Sequence, residues 1–296
     1  MFLGILRSMT TGRTVQFSAI VFAVAILAAA NSISDQQSHS GINPSDPTRA
    51  ASANFSAVRS LYRSSVVGTD FDFITENDPN AFERLEYVGF HDFEMPDKRK
   101  TGEPLVQRAY VFNAFFTDGT KISIALDKDF GSREVAEQDA LRYTPRLGKL
   151  PPLYRQNLRH ITVNKGGIDT TAFAEDKGHF FTIYSDNATK RITTHDLEET
   201  FFHEGTHASI QVSHIESTAW KNAKVRDNSF ITDYAQSSDQ EDFAESALFA
   251  FTLIYHPERI PAADREKIEK LIPNRIAFFR SVYASRPTPP KSPPFE

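Results

Sequence analysis

The chain has no cysteine. That excludes a disulfide framework, a thiolate metal site and a lipid-modified cysteine behind an export signal. Any zinc would have to be held by His, Asp or Glu. Strong net charge is missing too: the formal balance is −5, the pI is about 6.0 and the two signs are mixed. No basic tract is present, so nothing points to nucleic acid. Tryptophan is scarce, with one at 220, whereas phenylalanine numbers 25. A core built on aromatic packing follows. With 40% hydrophobic residues in 296, there is enough for one large domain or two small ones.

The first 15 residues carry Arg7 and Arg13 and no acid, and residues 17–30 are an apolar run. This is about the length of a signal-peptide core and short for a membrane span. Ala28-Ala29-Ala30 fits a small-residue cleavage pattern. Residues 1–32 are therefore expected to be a signal peptide, with a secreted or periplasmic product. The alternative is an uncleaved anchor at 16–30. Residues 33–53 are Ser-, Gln-, Asp- and Pro-rich and read as a disordered linker or a short pro-segment. A single domain is expected over 54–285, and the tail 286–296, with five prolines, is expected to be disordered.

Within the domain, residues 55–62 have helix-like spacing, and aromatic runs between 71 and 93 suggest short strands. A hairpin is predicted from 109–116 and 121–126 around Asp118-Gly119, with Ile122, Ile124 and Leu126 on a buried face. A helix over 133–143 starts at the N-cap Ser132, with Gly148 ending that unit, and a short helix is expected at 150–157. Strands are expected at 161–164 and 179–185. The second could offer its edge to an extended peptide or be an ordinary interior strand. A helix capped by Thr193 or Thr194 follows, then a polar stretch over 213–228. A largely buried helix is expected over 238–255, stopped by His256-Pro257, and two closing helices over 263–271 and 274–283.

At 200–210 the chain reads T-F-F-H-E-G-T-H-A-S-I, containing His203-Glu204-Gly205-Thr206-His207, an H-E-x-x-H motif. Helical residues four apart lie one above the other. His203 and His207 can thus aim two imidazoles at one metal ion, with Glu204 one residue round the helix. Zinc takes neutral nitrogen donors, and hydrolysis needs a carboxylate near the attacking water. A chance H-E-x-x-H in such a chain is on the order of one in a hundred. The bland alternative, an amphipathic helix that happens to carry two histidines, is therefore the weaker one.

A catalytic zinc has three protein ligands and one open position. The pattern H-E-x-x-H-x-x-G-x-x-H is excluded, because Ile210 and Ser213 stand where glycine and histidine are required, and His214 misses by one. Glu241 and Glu245 share one face of the expected 238–255 helix. Two such carboxylates on a buried helix are costly unless a cation or hydrogen-bond donors receive them. Zinc and the outer nitrogen of a ligating histidine would do so. The alternative is a solvated acidic face at the helix N-terminus, where acids are favoured anyway.

The stretch Tyr234-Ala235-Gln236-Ser237-Ser238-Asp239-Gln240-Glu241-Asp242-Phe243-Ala244-Glu245 resembles the second active-site segment of the anthrax-lethal-factor-like zinc peptidases. Those are gluzincins in which H-E-x-x-H is followed, on a later segment, by a tyrosine, a glutamate seven residues on, and F-A-E. The resemblance runs from His203 to about Tyr283, and an extension back to His179 is compatible with it. Residues 55–150 do not match. There is no room for the toxin's receptor-binding and substrate-docking domains, so a toxin function does not follow.

The resemblance implies that His203, His207 and Glu241 bind one zinc per chain. It implies that Glu204 activates the attacking water and passes the proton to the leaving amine. Tyr234 would donate its hydroxyl hydrogen to the developing oxyanion, and Glu245 would fix the tautomer of one ligand histidine. Their alternatives are a packed surface tyrosine and a helix-face charge. His179, His195, His214 and His256 read as capping or surface histidines, with His179 able to line the cleft. The expected protein is an exported zinc metallopeptidase of α+β, zincin-like fold, with a mixed or antiparallel sheet on the active-site helices, acting on protein or peptide. Its rivals are a catalytically silent zinc-binding module on the same fold acting in protein interaction, which has no need of an acid at Glu204, and a structural protein whose histidines never meet a metal. The latter leaves the spacing of Tyr234 and Glu241 unexplained.

Overall fold

In the computed structural model the described residues are 60–284, apart from 101, 103 and 104. The signal-like segment, the linker and the proline-rich tail lie outside them. So do residues 55–59 of the predicted first helix. Its described end, Ser60–Tyr62, is instead a strand, β1.

The predicted hairpin forms and extends. Strands β3 (Val106–Phe116) and β4 (Lys121–Asp127) pair antiparallel, and Gly119 takes φ 81° in the turn. Residues alternate between the faces, so Phe112, Ala114, Ile122, Ile124 and Leu126 all enter the main core. Ala109, Val111 and Ala125 bury a smaller cluster on the opposite face with Met95. The aromatic runs before the hairpin resolve into one long strand, β2 (Phe82–Glu94), antiparallel to β3.

Helix α1 (Arg133–Lys149) starts at Ser132, whose hydroxyl accepts from the Val135 amide. It runs six residues past the expected end, through Pro145. Gly148 does not terminate it: a Cβ there would lie 2.7 Å from the Phe82 amide nitrogen, so the glycine lets β2 approach the helix. After the single turn α2 (Pro152–Arg155), β5 (His160–Asn164), β6 (Phe173–Glu175) and β7 (Phe180–Tyr184) complete a six-stranded sheet in the order β2-β3-β4-β5-β7-β6. The β4-β5-β7 pairs are parallel and β6 is antiparallel to β7, so the sheet is mixed. The class is α+β. β7 is fully buried between two neighbours, which is why its sequence is mostly apolar, and its one polar residue, Thr182, hydrogen-bonds Thr162 of β5; the edge strands are β2 and, next to β7, β6.

Helix α3 (Ser185–Thr193) corrects the expected cap. The hydroxyls of Thr193 and Thr194 bond back to the carbonyls of Thr189 and Lys190 and close this helix rather than opening the next. His195 then adopts φ 59°, and α4 (Leu197–Thr206) begins behind Asp196. Every residue of α4 is buried. It widens into a π turn over His207–Gln211 and ends in α5 (Val212–His214). Phe201, Phe202 and Ala208 are buried, whereas Val212 is exposed.

The polar stretch beyond it contains a helix, α6 (Thr218–Asp227), anchored by Trp220, which points inward against Phe243, Phe278 and Phe279. Then come β8 (Phe230–Thr232), a 3-10 turn at Tyr234–Ser237, and α7 (Asp239–Tyr255), capped by Ser238, whose hydroxyl accepts from the Glu241 amide. α8 (Ala262–Leu271) and α9 (Pro273–Ala284) close the chain. The short strand β1 lies parallel to β8. Helices α1 and α4 pack on the sheet and on each other, α7 packs on α4, and α9 packs on α6 and α7. This places α4 in the middle layer, with the sheet on one side and α7 on the other.

Candidate metal centre

Because α4 and α7 face one another, His203, His207 and Glu241 meet although Glu241 is 38 residues further along. His203 Nε2 stands 3.0 Å from Glu241 Oε2, His207 Nε2 stands 3.4 Å from the same oxygen, and the two Nε2 atoms are 3.1 Å apart. Tetrahedral zinc with ligand distances of about 2.0–2.2 Å separates its donor atoms by about 3.3–3.6 Å. The observed triangle is slightly tighter. Among the described residues, these three side chains form the group whose donor atoms all lie within 4.8 Å of one another.

The outer nitrogens set the protonation. His207 Nδ1 lies 2.6 Å from Gln211 Oε1, an acceptor that calls for a proton on that nitrogen. His203 Nδ1 lies 3.2 Å from Glu245 Oε1, and neither atom has another partner. In the neutral rings both Nε2 atoms are then bare lone pairs. They point at each other and at a carboxylate oxygen. Such a convergence of acceptors is repulsive unless a cation or a proton lies among them. The donor set of two imidazoles and one carboxylate suits a divalent cation such as zinc.

Burial opposes charge on His203, but Glu241 and Glu245 outweigh it and raise its pKa well above the ordinary value. Burial likewise acts to raise the Glu241 carboxyl, but hydrogen bonds and charge from His203 and His207 pull it below the usual range. Glu204 is buried beside them and its pKa is raised by desolvation, partly countered by the two histidines.

Glu245 is held from behind. Its Oε2 accepts from the Val66 amide at 2.6 Å and from the Thr232 hydroxyl at 2.7 Å. Thr232 ends β8, and Val66 follows β1 in a 3-10 turn, Val66–Gly68. The small parallel pair thus serves to bring both donors to one buried carboxylate. Tyr234 stacks its ring on His203, 6.0 Å between centroids, and is 42% exposed. Burial of its hydroxyl, with Glu241 and Glu204 nearby, raises its pKa.

All six expected site residues are therefore brought together. The four discounted histidines stay out: His179 Nδ1 is 2.9 Å from the Ala208 carbonyl, His214 Nδ1 is 2.8 Å from the Ile210 carbonyl, His256 faces Glu258, and His195 is in the exposed turn before α4. Sequence reasoning missed Gln211, for which the four-residue spacing from His207 was the available signal. It also missed Val66 and Thr232, which no local pattern marks, and Lys98. Lys98 lies in the β2–β3 connection, donates to the Thr171 hydroxyl at 2.9 Å beside β6, and is close enough to Glu204 to feel its charge. No protein-family model, curated protein or solved structure matches this chain.

Proposed function

We propose that this chain is an exported zinc-dependent peptidase of zincin-like architecture, hydrolysing peptide bonds in protein or peptide substrates. The convergence of His203 Nε2, His207 Nε2 and Glu241 Oε2, with Glu204 buried beside them, carries the proposal. When bound, zinc would act as a Lewis acid on the scissile carbonyl and on the attacking water. His203, His207 and Glu241 would hold it, with Gln211 and Glu245 keeping the two rings in the tautomer that presents Nε2.

Glu204 takes a proton from the attacking water and returns it to the leaving nitrogen. Its raised pKa suits both halves of that transfer. Tyr234, stacked on His203 and open to solvent on one side, keeps its proton and donates it as a hydrogen bond to the developing oxyanion. The free edge of β6, which packs beside α4 and the π turn, offers backbone groups to an extended substrate. This role falls to β6 because β7 is covered on both sides.

The test is elemental analysis of the purified full chain together with digestion of an unstructured protein before and after chelation. One zinc per chain and cleavage that disappears with the metal and returns with zinc are expected. A chain that holds no zinc under any loading condition would refute the proposal.

A further inference from the structure

One turn of α4 before His203, beside Glu199, is a cavity of about 430 Å³ that the proposed chemistry does not use. Its walls are the segment that follows β1 and the first turn of α4. Val66 and Phe71 supply apolar surface, and Asp70, Asp72, Asp196 and Glu199 supply acid. Among the described residues no lysine or arginine lines it, and His195 is the one imidazole there. Asp196 is already engaged by Arg191 at 3.3 Å, but among the described residues no basic side chain pairs with Asp70, Asp72 or Glu199.

Glu199 is the unusual member. It is 2% exposed, its Oε1 accepts from the Ile74 amide at 3.0 Å, and its Oε2 has no partner among the described residues. Most buried carboxylate oxygens are satisfied, and one that is not costs stability unless a ligand or a proton completes it. Desolvation pushes its carboxyl up to about 8, with Glu198 and Asp72 adding to the rise. The gap has the sign and position of a missing cation. A bare metal ion does not fit, because among the described residues no three carboxylate or imidazole donors around this cavity lie within 4.8 Å of one another.

We propose that this cavity binds an alkylammonium cation, with the ammonium between Glu199 and Asp72 and the alkyl chain against Val66 and Phe71. The volume is within the range that accommodates small ligands, and an ammonium brings three donors to acceptors that lack them. The cavity is separate from the metal centre but shares Val66 with it, whose amide holds Glu245. Binding here does not depend on the peptidase assignment.

The experiment is calorimetric titration of the full chain with n-butylammonium chloride at pH 8.5, against n-butanol and against sodium chloride at equal ionic strength. At that pH an alkylamine is still protonated and Glu199 is largely ionised. Saturable binding of n-butylammonium is expected, with none for n-butanol. Glu199→Gln should weaken it at least tenfold and Asp72→Asn several-fold. Glu199→Gln removes a buried charge and keeps the side-chain volume, and the exposed Asp72 makes the second variant safe for folding. No saturable heat, an equal response to n-butanol, or binding undiminished in Glu199→Gln would overturn the proposal.

Discussion

Glu245 presents Oε1 to the Nδ1 of His203 at 3.2 Å while its other oxygen is tied to backbone and hydroxyl donors from two distant segments. A carboxylate so fixed cannot swing away, so the imidazole it faces is fixed too. Outer-sphere partners of this kind typically change metal affinity by about 10–100-fold. Glu245→Gln should therefore weaken zinc retention by about that factor in a chelator competition. Affinity equal to the parent's would mean the contact does not orient the ligand.

Glu204→Gln removes the proposed base without touching a donor atom of the metal group. It should leave one zinc per chain and lower the cleavage rate by roughly 10²–10⁴-fold, the range for a positioned general base. Parental turnover in this variant would sink the assigned role.

Neighbouring acids on α7 do different jobs. Glu241→Ala should lose zinc, whereas Asp239→Ala, on an exposed side chain that pairs with Lys224, should not. Asp242 is a poor control. It is fully buried and receives Arg275 at 2.7 Å, and Arg275 also reaches Asp227 at 3.1 Å. Asp242→Ala leaves a buried guanidinium half paired and should cost about 3–5 kcal/mol in urea unfolding. A stable Asp242→Ala protein that has lost its zinc would reverse these assignments.

Glu199 should impose a pH dependence on stability. Its carboxyl titrates at about 8 in the fold, against 4.5 as the ordinary value. Between those pH values the folded state binds more protons than the unfolded one, so this residue's contribution falls as pH rises. The loss is complete above about pH 8 and amounts to a few kcal/mol, on the order of what such a shift implies. Glu199→Gln should be more stable than the parent at pH 9 and close to it at pH 4, measured as urea midpoints. An identical pH dependence in the two proteins would contradict this.

Much was legible along the chain. The hairpin at Asp118-Gly119 and the cap at Ser132 both rest on a few adjacent residues, and each forms. The caps at Thr193 and Thr194 were misread because threonine hydroxyls can bond forward to amides or back to carbonyls, and sequence does not choose between them. The strand at β7 was recognised, but its place in the sheet was not. An apolar run shows that both faces are covered, without saying which neighbours lie alongside.

By itself the sequence determined that His203 and His207 share a face, with Glu204 one residue round, because helical periodicity puts residues four apart one above the other wherever the helix lies. It likewise put Glu241 and Glu245 on a common face. Whether the two faces meet was decided by the packing of α4 between the sheet and α7, a matter of side-chain volumes spread over the whole core. The same holds for the Val66 amide, 179 residues from the carboxylate it binds. Local spacing is a property of backbone geometry, whereas contacts between distant segments exist only once the burial of many apolar side chains has fixed how the layers stack.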